Sequence, residues 1–301
     1  MVAEQLAAEF GIAGKLDFAT AGKGLVKAVV SLDGMTGEVV LQGAQVTRWD
    51  PAGKRPVIFM SPNSVFAPGT AIRGGVPLIF PWFGPHRTAK EAPQHGFART
   101  APWRLTGVEQ GAGGLALTFA LASDDISSPF WPEPYRAAYT VTFGRALSMS
   151  LSVQNRAKQP VVFEEALHTY FAVSDIAKVG VSGLAGRTYI DKTDGMRRKT
   201  QQEPLVILAK ETDSLYLDTP SSRAIEDPDW RRRIVIDSSG AASTVVWNPW
   251  AEKGAAMRDL GDPAWRGMIC VENGNAADNE VRLAADSEHT MSAQISVDAI
   301  G

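Results

Sequence analysis

Two widely separated residues of this chain, His168 and Glu272, have side chains that could transfer protons as a pair. His168 lies in the apolar segment VVFEEALHTYFAVSD, and Glu272 lies in RGMICVENGNA. An unperturbed imidazole titrates near ~6.5, so it can hold or release a proton near neutral pH, and an ionised carboxylate can accept one. In a cleft of sugar size this pair could open and close a hemiacetal ring, because ring opening needs a base at the C1 hydroxyl and an acid at the ring oxygen. This chemistry requires no metal, nucleotide or covalent intermediate.

The segments that carry these two residues have the pattern of β-strands, in which alternate side chains share a face. Within 161–173 we expect one face to hold Glu164, Ala166, His168 and Tyr170, and within 268–272 we expect one face to hold Met268, Cys270 and Glu272. The sequence Asn273-Gly274-Asn275 should end the second strand. Glu272 is therefore expected at a strand end, facing a cleft.

Short, β-branched, alternating runs separated by Gly, Pro and Asp continue along most of the chain. They predict an all-β fold, a large antiparallel β-sandwich with few short helices. One helix is expected at residues 2–10, within an N-terminal helical extension over 1–20. No linker-like stretch divides the 301 residues, so we expect a single domain, and the Gly- and Pro-rich segment 67–85 is long enough to be a functional loop.

Composition narrows the classes of partner and compartment. The net charge of −3 gives no overall field for polyanions or acidic lipid, and the basic clusters at 197–199 and 231–233 adjoin acidic residues without stacking aromatics between them. No membrane span or secretory signal is expected, and the single Cys270 forms no internal disulfide. We expect a cytoplasmic monomer that binds neither nucleic acid nor membrane.

The motifs of nucleotide and metal sites are missing from the sequence. There is no P-loop, no GxGxxG after a strand, no HExxH and no cysteine cluster. We therefore expect no cofactor and no metal. Among the aromatic residues, Trp82, Trp247 and Trp250 could offer flat faces to a sugar ring, and we expect only one or two of them to line the cleft.

Six blocks of the sequence, taken in order, resemble the hexose-phosphate mutarotases, the glucose-6-phosphate 1-epimerase branch of the aldose 1-epimerase or galactose mutarotase-like family. The blocks are AIRGGVPLIFPWFGPH (71–86), QHGFARTAPWRL (94–105), ALHTYFAVSDI (166–176), GLAGRTYIDK (183–192), VVWNPW (245–250) and ICVENGNA (269–276). The resemblance extends from about residue 20 to the C-terminus. It implies a β-supersandwich that interconverts the α and β anomers of hexose 6-phosphates without a cofactor.

The resemblance also implies roles for individual residues. It gives His168 as the catalytic acid and Glu272 as the catalytic base, although a core histidine and an exposed carboxylate are the plain structural alternatives. It gives Arg73 and His95 as sugar-binding residues, because they match the family positions in IRGG and QHGFAR.

Two further residues of the site follow from the same blocks. Arg99 of HGFAR, together with Arg73, matches the basic residues associated with the phosphate group, and a guanidinium can bind phosphate oxygens in pairs. Asp191 of TYIDK matches a residue that contacts the substrate. Its alternative, a turn-capping or ion-pairing role, is nearly as well supported by the local sequence.

Two rival functions remain open at this point. The chemistry of His168 and Glu272 would serve an aldose 1-epimerase acting on unphosphorylated sugars equally well, and Arg99 is the feature that favours a phosphate. A noncatalytic carbohydrate- or sugar-phosphate-binding β-sandwich is the rival from another class. The presence of both proton-transfer residues argues against it.

Overall fold

The computed structural model describes residues 2–126 and 128–300, and three large antiparallel sheets dominate them. One hydrophobic core joins side chains from all three, from Leu6 to Ile295. The predicted all-β fold with few short helices is confirmed. The prediction of a single domain stays a prediction. No helix within the described ranges is long and apolar enough to cross a membrane.

The first sheet has four strands in sequential order. They are β1 (Leu16–Ala21), β2 (Leu25–Leu32), β3 (Met35–Val40) and β4 (Gln45–Asp50). The helix α1 (Ala3–Phe10) precedes them, in agreement with the helix expected at 2–10. The expected helical extension over 1–20 is wrong in its second half, because β1 begins at Leu16 and pairs along its length with β2. Leu6 is fully buried, so the helix packs on the core.

The second sheet has nine strands, and its alternating pattern is visible in the sequence. Its strands are β6 (Arg104–Gly111), β7 (Gly114–Ala122), β8 (Tyr135–Phe143), β9 (Leu147–Asn155), β13 (Gly180–Ser182), β16 (Leu205–Ile207), β18 (Ser222–Asp227), β19 (Arg232–Ser239) and β23 (Glu288–Ala299). In β9 the residues Leu147, Met149 and Leu151 are buried, while the serines between them are partly exposed. This two-residue period is what one buried face and one solvated face require.

The third sheet has eight strands and carries the residues of interest. Its strands are β5 (Leu78–Ile79), β11 (Glu165–Leu167), β12 (Tyr170–Ala172), β14 (Thr188–Asp191), β15 (Arg197–Thr200), β17 (Thr212–Tyr216), β20 (Ser243–Asn248) and β21 (Met268–Asn275). A two-stranded sheet pairs β10 (Val161–Phe163) with β22 (Val281–Leu283). The remaining regular segments are the helix α2 (Trp250–Ala256) and 3-10 turns at Ala98–Thr100, Ala264–Gly267 and Ala277–Asn279.

Strand β21 is a central strand that is buried on both faces along its whole length. Ile269 and Val271 enter the main core, whereas Met268 and Cys270 belong to a second apolar cluster under the opposite face. The expected alternation of these residues is thus confirmed. Glu272 lies on the same side as Cys270, two residues further along the strand.

The expected end of this strand at 273–275 is wrong, because the side chains of Asn273 and Asn275 each find a hydrogen-bond partner inside the fold. The Asn273 side-chain oxygen accepts a hydrogen bond from Arg223, and Asn275 Nδ2 donates to Glu165 Oε1 at 2.9 Å. Gly274 allows β11 to approach, since a Cβ here would lie 2.6 Å from the Glu165 carbonyl oxygen. These residues continue the strand, and Glu272 lies within it rather than at its end.

Candidate active site

His168 lies in the break between β11 and β12, directly across from Glu272 on β21. Leu167, the last residue of β11, pairs with Asn273, and the pairing resumes in the same register at β12. Opposite residues of antiparallel strands project from the same face with Cβ atoms about 4.5–5.5 Å apart. The register therefore brings together an imidazole and a carboxylate from distant parts of the sequence.

The two side chains form a buried acid–base pair. His168 Nε2 lies 3.4 Å from Glu272 Oε1, and the residues are 8% and 1% exposed. His168 Nδ1 and Glu272 Oε2 are buried without a hydrogen-bond partner among the described residues. Burial lowers the pKa of His168 and raises the pKa of Glu272, because it disfavours the charged form of each. The unpartnered atoms are available to a ligand that enters the cleft.

Tyr170 holds the imidazole in place and links it to Arg73. The ring of Tyr170 is stacked on that of His168, with centroids 4.8 Å apart and planes 8° from parallel. Its hydroxyl accepts a hydrogen bond of 2.9 Å from Arg73 Nη1, and Arg73 Nε donates to Asp259 Oδ2 at 3.0 Å. Burial alone would lower the pKa of Arg73, but Tyr170 and Asp259 raise it. Arg73 is thus a fixed cation at the cleft.

The floor of the cleft consists of two rows of side chains that cross the third sheet. The first row is His168, Glu272, Val245, Leu215 and Ile190, and the second is Tyr170, Trp247 and Asp213, with the fully buried Cys270 in register between Tyr170 and Trp247. The cavity above the floor has a volume of about 660 Å³, which is within the range of small-molecule sites. Trp247 lines it, in agreement with the expectation of one or two tryptophans, while Trp82 and Trp250 pack in the core.

His95 enters the cleft from a tight loop and is held as a neutral hydrogen-bond donor. Its backbone φ is +67°, a left-handed conformation that is sparsely populated for residues other than glycine. The Gly84 N–H donates to His95 Nδ1 at 3.1 Å, which leaves Nε2 to carry the proton. Burial lowers the pKa of His95, and the charge of Arg99 lowers it further. His95 can therefore donate to a sugar hydroxyl without being charged.

Arg99 is the lining cation that has no carboxylate partner within the described ranges. Its Nη2 donates to the Gln94 carbonyl oxygen at 2.7 Å, and burial lowers its pKa. Each of the other lining cations is paired with an acid; for example, Lys192 pairs with Asp213 and Lys253 pairs with Glu211. A half-buried guanidinium without a counter-charge is a site for an anion.

Glu164 shapes one rim of the cavity by joining two loops. Its Oε2 accepts from the Phe83 N–H and its Oε1 from the Ala277 N–H, both at 2.9 Å. Arg87, which is exposed on the same rim, lies 3.2 Å from Glu164 Oε1 and 2.8 Å from Glu280 Oε2. The expected shared face of Glu164, His168 and Tyr170 is confirmed, because all three line the cavity.

The structure does not bring Asp191 together with the other predicted site residues. In β14 the side chain of Ile190 faces the cleft, so the next residue projects to the opposite side of the sheet. Asp191 Oδ1 accepts from the Thr193 N–H at 3.0 Å, and Oδ2 lies 2.7 Å from Lys199 Nζ. These are the turn and ion-pair contacts of a structural aspartate. The other five predicted residues all line the cavity.

Two charged residues of the cleft, Lys192 and Asp213, were missed by the sequence reasoning. Lys192 Nζ lies 4.5 Å from the centre of the Phe83 ring and 3.2 Å from Asp213 Oδ1. The two-residue period of TYIDK could have indicated Lys192. Asp213 carried no local signal, since it reaches the cleft only through the pairing of β17 with β20.

The large antiparallel sheets, and the buried imidazole and carboxylate beside a cavity of sugar size, agree with an isomerase that acts on sugars. A family model described as aldose 1-epimerase matches residues 29–296. The chain belongs to this family, and it is an enzyme of the epimerase class.

Relatives with similar names cover most of the chain. A protein of Escherichia coli strain K12 named "Putative glucose-6-phosphate 1-epimerase" is 36% identical over 220 residues, which are 73% of this chain and 73% of that protein. One of the same name from Cenchrus ciliaris is 34% identical over 235 residues, 74% of this chain and 70% of its own. The crystal structure of a "putative mutarotase (YeaD)" from Salmonella typhimurium has a TM-score of 0.89 and 30% identity, with 96% of this chain and 95% of that chain covered. The resemblance inferred from the six blocks is confirmed.

Proposed function

We propose that the protein interconverts the α and β anomers of hexose 6-phosphates, with glucose 6-phosphate as the preferred substrate and without a cofactor. The names of the relatives support the substrate class. The observation that carries the proposal is Arg99, a half-buried cation without a carboxylate partner in the described part of the chain, in the same cavity as His168 and Glu272. A neutral sugar would leave this guanidinium without a counter-charge.

The charges around the cavity favour an anionic substrate. Five basic residues line it against three acidic ones, although the whole chain has a net charge of −3. In our proposal Arg99 and Arg73 bind the phosphate, and the neutral His95 donates a hydrogen bond to the sugar. The anomeric carbon then lies over His168 and Glu272.

The chemistry that we assign to the pair is a net transfer of one proton from His168 to Glu272 by way of the substrate. Glu272 takes the proton of the C1 hydroxyl while His168 gives one to the ring oxygen, and the bond between C1 and the ring oxygen breaks to leave an aldehyde. Rotation at C1 and the reverse transfers close the ring as the other anomer. In the open-chain state Glu272 is protonated and His168 is neutral, and burial stabilises these uncharged forms.

An anomer-exchange assay by NMR tests the proposal on three substrates: glucose 6-phosphate, galactose 6-phosphate and free glucose. Because sugars mutarotate in water, the uncatalysed rate is measured and subtracted for each. We expect kcat/KM for glucose 6-phosphate to exceed that for free glucose by about 10-fold or more, the worth of one charged hydrogen bond.

Two outcomes would contradict the proposal in different ways. Equal catalysis of free and phosphorylated glucose would favour the aldose 1-epimerase alternative. Binding of glucose 6-phosphate without any acceleration of exchange would favour a noncatalytic sugar-phosphate-binding protein.

A further inference from the structure

Three side chains, two that line the floor of the cleft and one buried directly beneath it, have donor atoms that metal ions bind. A nitrogen of His168, the sulfur of Cys270 and an oxygen of Glu272 all lie within 4.8 Å of one another, and all three residues are buried. Cys270 and Glu272 are two residues apart on β21 and share a face, and His168 lies opposite Glu272. Alternation along β21 predicts the shared face of Cys270 and Glu272, whereas the approach of His168 depends on the pairing of β11 and β12 with β21.

The geometry is close to that of a zinc site with three protein ligands. Bonds of about 2.0–2.3 Å place neighbouring donors of a tetrahedral site about 3.3–3.8 Å apart. His168 Nε2 and Glu272 Oε1 are already 3.4 Å apart. The sulfur of Cys270 lies within 4.8 Å of the other donors, so it would have to approach them by up to about 1 Å to reach the spacing of a tetrahedral site. Glu272 Oε2 is buried without a hydrogen-bond partner in the described ranges, so this carboxylate has an oxygen that no protein group occupies. The fourth position would open into the cleft.

We propose that His168, Cys270 and Glu272 form an inhibitory site for thiophilic divalent cations such as Zn²⁺. A thiol, an imidazole and one carboxylate favour Zn²⁺ or Co²⁺ over Mg²⁺ and Ca²⁺, which prefer sites made only of oxygen atoms. Binding releases two protons to solvent: that of the Cys270 thiol, since sulfur binds the metal as thiolate, and the one that His168 and Glu272 share, since they bind as neutral imidazole and carboxylate.

Occupation of this site would stop proton transfer, because the metal would take the lone pairs that His168 and Glu272 need for the substrate. This regulatory consequence rests on the proposed function, whereas metal binding itself does not. The expected loss of anomer exchange at saturating Zn²⁺ is about 100-fold, the typical contribution of one acid–base group.

Cobalt spectroscopy tests the site directly on the full chain, made without a polyhistidine tag and freed of metal. Co²⁺ in excess should produce a thiolate-to-cobalt charge-transfer band that Zn²⁺ removes by competition and that Mg²⁺ leaves unchanged. Cys270 is the only cysteine in the chain, so any such band must come from it. We expect the band to be lost in both Cys270→Ser and Cys270→Ala and kept in His86→Gln, a control histidine outside the cluster.

The inhibition is measured within each variant as the ratio of exchange rates with and without Zn²⁺. The wild type and His86→Gln should lose about 100-fold and recover when EDTA is added, and Cys270→Ala should lose much less. Absence of the cobalt band overturns the proposal, and so does a band without inhibition by Zn²⁺. A cobalt band in a protein that does not exchange anomers would support the metal site and contradict the proposed function. Failure of the metal site and failure of the proposed function are therefore distinguishable.

Discussion

The contact between His168 and Glu272 makes the two side chains one titrating unit. Groups that interact this closely share macroscopic pKa values that belong to the pair. Burial lowers the pKa of His168 and raises that of Glu272, so the pair resists both a second proton and the loss of its only one. The one-proton state is the form that can act as acid and base at once.

Removal of either group should disable the reaction without unfolding the protein. We expect His168→Ala and Glu272→Gln each to reduce kcat by at least ~100-fold, and the double variant to lose less than the product of the two, because the groups act in one step. NMR anomer exchange provides the rates, and circular dichroism checks the fold. If Glu272→Gln exchanges anomers at a near-normal rate, the proposed mechanism is wrong.

The alkaline limit of activity should depend on Lys192. Burial raises the pKa of Glu272, and Lys192 opposes this effect while Asp213 adds to it. At high pH the pair loses its last proton, so kcat should fall. Lys192→Met removes the opposing cation, which should raise the pKa of Glu272 further and move the alkaline limb to higher pH.

The matched control for this experiment is Lys253→Met. Lys253 also lines the cavity, but it is exposed and pairs with Glu211. Lys253→Met should leave the pH at which kcat falls on the alkaline side unchanged. A shift to lower pH in Lys192→Met would contradict the charge relation between Lys192 and Glu272.

At the scale of the strands, alternation was a sufficient guide to which residues share a face. The period of two placed His168 and Glu272 on the correct faces without knowledge of the partner strands. The same rule, applied to TYIDK, assigns Ile190 and Lys192 to one face and Asp191 to the other, as the structure has them. The expectation for Asp191 came from the family block and not from the local pattern.

Other features depend on contacts that no single segment contains. The segment 273–275 has the composition of a turn, yet it extends β21, because β11 pairs with it and Arg223 donates to the side-chain oxygen of Asn273. Asp213 reaches the cleft through two further strand pairings. Features of this kind require the tertiary register, which a single sequence does not specify.

A histidine–carboxylate pair, with Glu165 fully buried and His289 partly buried, connects the second and third sheets behind the site. His289 Nε2 of β23 lies 2.9 Å from Glu165 Oε1 of β11, and the hydrogen bond that His289 donates to Glu165 raises the pKa of His289. A histidine whose pKa is raised in the folded state adds to the free energy of unfolding. This contribution is fully present at pH values below the pKa of the unfolded state, about 6.5, and it is lost as the pH rises through the pKa of the folded state.

The stability of His289→Gln should therefore depend on pH. At about pH 6 we expect the variant to lose about 1–2 kcal/mol of unfolding free energy, and at about pH 9 the difference should shrink. Urea unfolding at both values measures it, with His86→Gln as the control. A deficit that grows with pH would show that the pair is not ionised as described.

At the scale of the whole molecule, the chain has a net negative charge but its cleft is lined by an excess of basic residues. The net charge is −3, yet basic residues outnumber acidic ones around the cavity. A local excess of one sign attracts a charged substrate whatever the total charge is. Recognition of phosphate should therefore rest on individual cations, and Arg99 is the one without an acidic partner in the described ranges.

Arg99→Ala should remove the preference for sugar phosphates. We expect a loss of about 1.5–3 kcal/mol in transition-state stabilisation for glucose 6-phosphate, with little change for free glucose. The ratio of kcat/KM for the two sugars measures this effect, and Lys253→Ala is the control. Equal losses for both sugars would place Arg99 at the hexose ring or in the scaffold.

The position of Glu272 within a central strand ties activity to the completion of folding. Strand β21 lies between β20 on one side and β11 and β12 on the other, and its opposite face supplies Ile269 and Val271 to the core. During synthesis His168 leaves the ribosome long before Glu272, and no partial site can form while the sheet lacks this strand. Contacts between such distant segments form slowly, because long loops must close first. In refolding experiments the recovery of activity should thus not precede the burial of the core.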